Sequence, residues 1–306
     1  MPKLQPAVRT LNFTSDGYID LSQCASIVNR RFYRQGLQWA VSGFNIELDA
    51  AVTTGNIRIE TLPTTWVTSS AWHKSMAMWL KQQNEDLEEV GAESAVARYR
   101  DFKIYMDTDH HTDGFIANLL PRTASGSFAP GEWQPSQIVV PTDTATPLEY
   151  NLHMVGANVS AGAGGDPDAL FSRGMIDGYE NSRAFPQSPD PVSPALDSGN
   201  NWMRAVFDVG QDNPEVVANA TARNDDLPYP QQNYPGGDTQ APELQLHSAF
   251  SANGSNVIGN RLSIPGCVAP CGLIKFSNDT GVNARLQVHL VPGNHRGYLA
   301  EPMQGS

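Results

Sequence analysis

The chain has 306 residues and a formal net charge of −12, with 40 % hydrophobic and 17 % charged residues. That length suits one large domain or two small ones, and an acidic body repels nucleic acid unless a local basic surface overrides the field. Three cysteines make no disulfide framework, no run approaches the roughly 18 apolar residues of a membrane-spanning helix, and the N-terminal "MPKLQPAVRT" lacks the apolar core of a signal peptide.

The charge is uneven. Residues 1–34 hold five Lys and Arg against two Asp, so the acidic excess lies in the remainder. Gly (26) and Pro (22) together favour many turns over long helices.

In chain order, residues 18–36 open on a candidate N-cap, Asp20. Leu21, Cys24, Ala25, Val28 and Phe32 then recur at helical spacing, which predicts a short helix ending at Gly36. Residues 39–48 switch to period two. Trp39 and Val41 give way to Phe44, Ile46 and Leu48, and this odd-to-even slip predicts a bulge at Ser42–Gly43. Residues 55–63 read as a second strand, able to form a hairpin with the first. Residues 69–90 are the strongest helix, capped by Ser69 or Ser70 and stopped by Gly91. Trp72, Met76, Trp79, Leu80 and Leu87 give it an apolar stripe suited to core packing. A second short helix is expected over 92–102 and a strand over 102–107.

Residues 137–141 and 148–156 read as strands, 157–168 as a loop and 169–185 as helix. Two further helical pieces, 197–210 and 213–225, precede an extended loop at 225–238. Strands return at 243–250, 257–264, 267–276 and 283–291. Roughly eight to ten strands gathered at both ends of the chain, not alternating with helices, favour an antiparallel sandwich over a doubly wound sheet. The expected fold is mainly β: a single jelly-roll antiparallel β-sandwich with helical insertions around 69–100 and 169–224.

Two stretches carry candidate chemistry. "YMDTDHHTDG" (105–114) gathers Asp107, Asp109 and Asp113 with His110 and His111. As an EF-hand starting at Asp109, it puts His111 at the third position and Leu120 where the bidentate Glu belongs, so the match fails. A weak Ca2+ site from Asp107, Asp109 and Asp113 is one reading; the other is a polar turn whose Asp side chains cap backbone N–H groups. On a strand the two adjacent histidines would point apart, which suits one zinc ion poorly. Cys267 and Cys271 are too few for a closed zinc site and read as ordinary thiols.

"NRRFYRQG" (29–36) interleaves Arg30, Arg31 and Arg34 with Phe32 and Tyr33. Guanidinium groups for phosphates and rings for bases are the grammar of single-strand nucleic-acid contact, with Arg30, Arg31, Arg34 and Tyr33 as its residues. The competing reading is an amphipathic helix with solvated arginines. No nucleophile elbow, zincin or phosphate-loop motif occurs, and the pairs Glu88–Glu89 and Asp225–Asp226 give no preferred acid–base couple.

"YIDLSQCASIVNRRFYRQG", "WVTSSAWHKSMAMWLKQQN", "YRDFKIYMD", "PGEWQPSQIVVP", "WMRAVFDVG", "NDDLPYPQQNYPGG" and "VAPCGLIKF" resemble, in the same order, segments of capsid proteins of small circular Rep-encoding single-stranded DNA viruses from environmental and marine samples. The resemblance implies a major capsid protein with no catalysis: an N-terminal arm (1–17) and one jelly-roll shell domain (18–306). It implies many identical subunits closing an icosahedral shell around a single-stranded DNA genome, with no membrane. The virion would be assembled inside the host cell. The loops at 157–168, 186–201 and 225–238 would form the outer surface or subunit contacts. One feature departs from that pattern. The arm holds only Lys3 and Arg9, which shifts genome contact toward Arg30, Arg31 and Arg34. Ca2+, the one cofactor this reading admits, would give Asp107, Asp109 and Asp113 a role at an interface. The rivals are a lectin-like β-sandwich with a Ca2+ loop and a carbohydrate-active enzyme on a jelly roll.

Overall fold

The computed structural model describes residues 5–49, 54–140, 148–159, 171–182, 218–220, 222–224, 228, 243–253 and 261–303, and it is mainly β. The chain forms two units, Met1–Tyr179 with Ala241–Ser306, and Glu180–Gln240. Nearly all of the second unit lies outside the described residues, as do most of the helical pieces expected over 197–225 and the loops expected at 186–201 and 225–238.

The strands are β1 (Thr10–Phe13), β2 (Gly17–Asp20), β3 (Leu37–Leu48), β4 (Thr54–Thr61), β5 (Gln137–Val140), β6 (Leu148–His153), β7 (Ser172–Gly174), β8 (Gln245–Asn253), β9 (Arg261–Pro265), β10 (Val268–Ala269), β11 (Leu273–Asn278), β12 (Ala284–Leu290), β13 (Pro292–Gly293), β14 (Gly297–Tyr298) and β15 (Ala300–Pro302). The α-helices are α1 (Leu21–Asn29), α2 (Trp66–Val90), α3 (Thr108–Asp113) and α4 (Met175–Ser182). β1, inside the segment expected to be an arm, is a ladder strand against β12.

One sheet runs β1-β12-β3-β9, the other β2-β11-β4-β8, and every ladder in both is antiparallel. β10 and β15 lengthen opposite edges of β3, since Trp39 pairs with both Ala269 and Ala300. The bulge lies where the sequence put it: His289 faces Gly43 and Leu290 faces Val41, so Ser42 is the extra residue. The hairpin expected between 39–48 and 55–63 does not form. β3 is already paired along both edges, and the chain crosses to the other sheet to make β4. Leu11, Phe44, Ile46, Leu286 and Val288 of one sheet and Ile19, Ile57, Ile59, Ile274 and Phe276 of the other are buried in a single apolar core. Each such side chain contributes about 1.5–3 kcal/mol by leaving water.

β2 and β4 both run antiparallel to β11, so they run parallel to each other and their outgoing connections leave at one end. α1 follows β2, and an insertion over residues 62–244, more than half the chain, follows β4. This places α1 beside the start of the insertion. The part of the insertion within the first unit covers the outer face of the second sheet. Tyr18 and Leu273 there are buried with Val67, Trp72 and Trp79 of α2 and with Phe102, Ile104 and Met106. It also shields the β2 edge, where the Leu119 N–H bonds to the Tyr18 carbonyl at 2.8 Å.

Asp20 caps α1 as expected, accepting from the N–H groups of Ser22 and Gln23. The helix ends at Arg30, in the left-handed region at φ 53°, and not at Gly36. Gly36 has another role: a Cβ there would lie 2.0 Å from the Trp72 ring, so only glycine lets α2 pack this closely. α2 begins earlier than expected, capped by Thr65, and ends at Gly91. The helix expected over 92–102 is only a single turn, Glu93–Ala95, and the strand expected over 102–107 makes just one bridge, Tyr105 to His153. Residues 101–106 are buried on both alternate faces, so their periodicity reports enclosure and not a sheet edge.

Candidate nucleic-acid interface

α1, the turn after it and the insertion segments 97–103 and 131–137 enclose a groove of about 940 Å3. Its walls carry Arg30, Arg31, Arg98, Arg100 and Lys103 against Asp101 and Glu132, a local cationic surface on an acidic chain. Phe32, Trp79, Tyr99 and Trp133 line it as well. Tyr99 is 60 % exposed and lies 5.3 Å from Phe32 between ring centroids. Arg98 sits 5.6 Å from the Tyr99 ring, Arg100 5.9 Å from Trp79, and Lys103 4.7 Å from Trp133. Each cation is thus held beside an aromatic face.

The groove floor is a hydrogen-bonded frame. Gln35 donates its N–H to Asp101 (2.9 Å), donates Nε2–H to Asp20 (3.0 Å) and the Ile104 carbonyl (3.1 Å), and accepts the Ile104 N–H (2.7 Å). Asp20 also accepts from Trp133 Nε1–H at 3.0 Å and from the Ser22 hydroxyl. Ser136 accepts the Lys103 N–H and donates to the Asp101 carbonyl. Burial raises the pKa of both Asp20 and Asp101. For Asp101 the Gln35 N–H, Lys103 and Arg34 act against that rise. The deep carboxylates are therefore bound into the frame, while Arg30, Arg31 and Arg98 are exposed.

Of the residues the sequence named, Arg30 and Arg31 line the groove; Arg34 is exposed and close enough to act on Asp101, but it is not in the lining. Tyr33 is a correction. It is fully buried, donates its hydroxyl to the Arg296 carbonyl at 3.0 Å, and packs on Trp39 and Tyr298. The turn after Arg30 sends this ring into the sandwich core, where no base can stack on it. The sequence reading missed Arg98, Tyr99, Arg100, Lys103 and Trp133. "ARYR" (97–100) repeats the arginine–aromatic alternation of "NRRFYR" and was the available signal.

The acidic stretch forms a short helix with its cap. Asp107 caps α3, accepting the His110 N–H and the Tyr18 hydroxyl, each at 2.8 Å. Lys275 reaches Asp107 at 3.2 Å and Asp109 at 3.3 Å. Its ammonium stands where a shared cation would. Burial alone would lower its pKa, but the two carboxylates outweigh that and raise it. Asp113 is exposed, and among the described residues no group of three His, Cys, Asp or Glu side chains is placed to hold a metal ion. Asp107 thus caps a short helix where the capping reading expected a turn.

His110 and His111 lie on that helix, both buried. His110 accepts the Met106 N–H at Nδ1 (3.0 Å), donates from Nε2 to Asn118 Oδ1 (2.8 Å), and stacks on Tyr18 at 4.3 Å. Burial pushes its pKa down to about 4. Cys24, Cys267 and Cys271 are free, and burial raises all three thiols. Glu88 and Glu89 are exposed on α2, and Asp225–Asp226 lies outside the described residues. No helix among the described residues is long and apolar enough to cross a membrane. No protein-family model, curated protein or solved structure matches the chain.

Proposed function

We propose that the chain is the shell subunit of a single-stranded DNA virus, assembling with copies of itself into an icosahedral particle. One observation carries this reading: the order of the eight principal strands. Counted along the chain as β1, β2, β3, β4, β8, β9, β11 and β12, they lie 1-8-3-6 in one sheet and 2-7-4-5 in the other. That order supports reading the two sheets as a jelly roll made of two Greek keys, an architecture that viral shells and lectins share. The lectin alternative leaned on a Ca2+ loop, and there Lys275 pairs with two of the three carboxylates. The ordered resemblance to capsid proteins favours the shell.

Electron microscopy of the purified chain across pH, salt and Ca2+ tests the proposal. Closed, uniform shells are the expected result. Copies that each carry −12 repel one another, so assembly should improve as salt shortens the screening length. A chain that stays monomeric under every condition would remove this reading.

A further inference from the structure

We infer that the groove between α1 and residues 97–103 is a sequence-tolerant site for single-stranded nucleic acid, reading backbone charge and base faces but not base edges. The inference rests on the shell proposal for the strand being a packaged one. For its chemistry it rests on the groove alone.

Three observations select this ligand. Five cations line the groove against two carboxylates, in a chain where acidic residues outnumber basic ones. Asp101 and Lys103, one of each sign, are both buried, so the accessible surface keeps the same excess: four arginines against Glu132. A phosphate backbone is the polyanion that such a patch would draw against the field of the whole molecule. The exposed Tyr99 ring is the second observation: it is braced by Phe32 and flanked by Arg98 and offers a stacking platform that an acidic peptide has no use for. The third is rigidity. Gln35, Asp20, Trp133 and Ser136 lock the floor, so the cations project from a fixed frame. A duplex hides its base faces and gives Tyr99 no partner, which makes a single strand the preferred form. The volume, about 940 Å3, is at the top of the ~300–1,000 Å3 range of small-ligand sites and leaves room for a length of chain.

Fluorescence anisotropy with labelled oligothymidylate and the full chain tests this. Four lining arginines predict that log K falls with log salt at a slope of about −3. Arg98→Gln should make that slope shallower by about 0.7. Tyr99→Ala should weaken binding about tenfold or more with the slope unchanged. Both residues are exposed, so the variants should melt like the parent chain. Binding unaffected by either change overturns the inference. So does a duplex of equal length binding as tightly, or polyglutamate competing equally well. If all three chains form shells and oligothymidylate binding ignores the groove, this inference fails and the shell reading stands. If no shells form but the two signatures appear, the shell reading fails and the groove stands.

Discussion

The two cores of the molecule are built on different principles. Between the sheets the buried set is apolar and aromatic, and its members alternate along strands. Beneath the insertion, apolar residues share the interior with Asp101, Lys103, His110, His111, Asn118, Asn151 and His153, most of them bonded to a partner across the chain. The sandwich core is non-directional, and solvent exclusion holds it. The insertion core is directional. Its polar groups are stable only while each keeps its partner, which fixes one arrangement of loops and makes that arrangement sensitive to substitution and pH.

Truncation in the sandwich should have the largest effect. Phe276 is 1 % exposed on the inner face of β11, and Phe276→Ala should cost about 3–5 kcal/mol, read as a shift of the denaturation midpoint. Asp20 joins the two regions: it caps α1 and also holds Gln35 and Trp133. Asp20→Ala leaves Trp133 Nε1–H without its acceptor and Gln35 Nε2 with the Ile104 carbonyl alone, at a cost of about 3 kcal/mol, and loosens the groove floor. A loss below about 1 kcal/mol, the size of an ordinary surface cap, would mean the network is not shared.

A pH titration separates the two cores. The folded protein holds His110 at about 4, below its ordinary 6.5, because burial penalises the charged ring. Below pH 6.5 the unfolded chain takes up a proton that the folded chain refuses. His110 therefore stabilises fully above that point, and its contribution is lost as pH falls toward 4, by roughly 3 kcal/mol in all. His111 and His153 are shifted the same way by burial. Asp20 and Asp101 are raised and act in the opposite sense, gaining stability as pH falls. The informative quantity is therefore the difference between wild type and His110→Gln. The variant should show a flatter melting-temperature profile between pH 6.5 and 4, and parallel profiles would reject this assignment.

The contrast also explains what was legible in the sequence. Alternating residues such as Phe44, Ile46 and Leu48 announce a strand with one buried face, and the Ser42 slip even placed a bulge. Sheet membership was not legible: β3 and β4 are adjacent in sequence but lie in different sheets, because pairing depends on partners roughly 180 to 220 residues away. Residues 101–106 alternate like a strand yet are buried on both sides, and no local rule distinguishes these cases. Half of the groove was legible at Arg30 and Arg31. Arg98 and Tyr99 join it only because two parallel strands send their connections to one end.

The smallest effect concerns the ion. Lys275 is 22 % exposed and lies between Asp107, 13 % exposed, and Asp109, with its ammonium 4.9 Å from the Tyr18 ring. Lys275→Met keeps the stem over Tyr18 and removes the charge. For a half-buried pair the cost lies between that of a surface and a buried bridge, about 1–2 kcal/mol. In the wild type, added Ca2+ should leave the melting temperature unchanged, since binding would have to displace a covalently tethered cation whose pKa the same carboxylates already raise. In the variant Asp107 and Asp109 lose that neutralising charge, and any response to Ca2+ should appear there first. A rise in the wild type would show that the ion outcompetes the ammonium, and it would return Asp107, Asp109 and Asp113 to the metal reading that the Lys275 geometry now argues against.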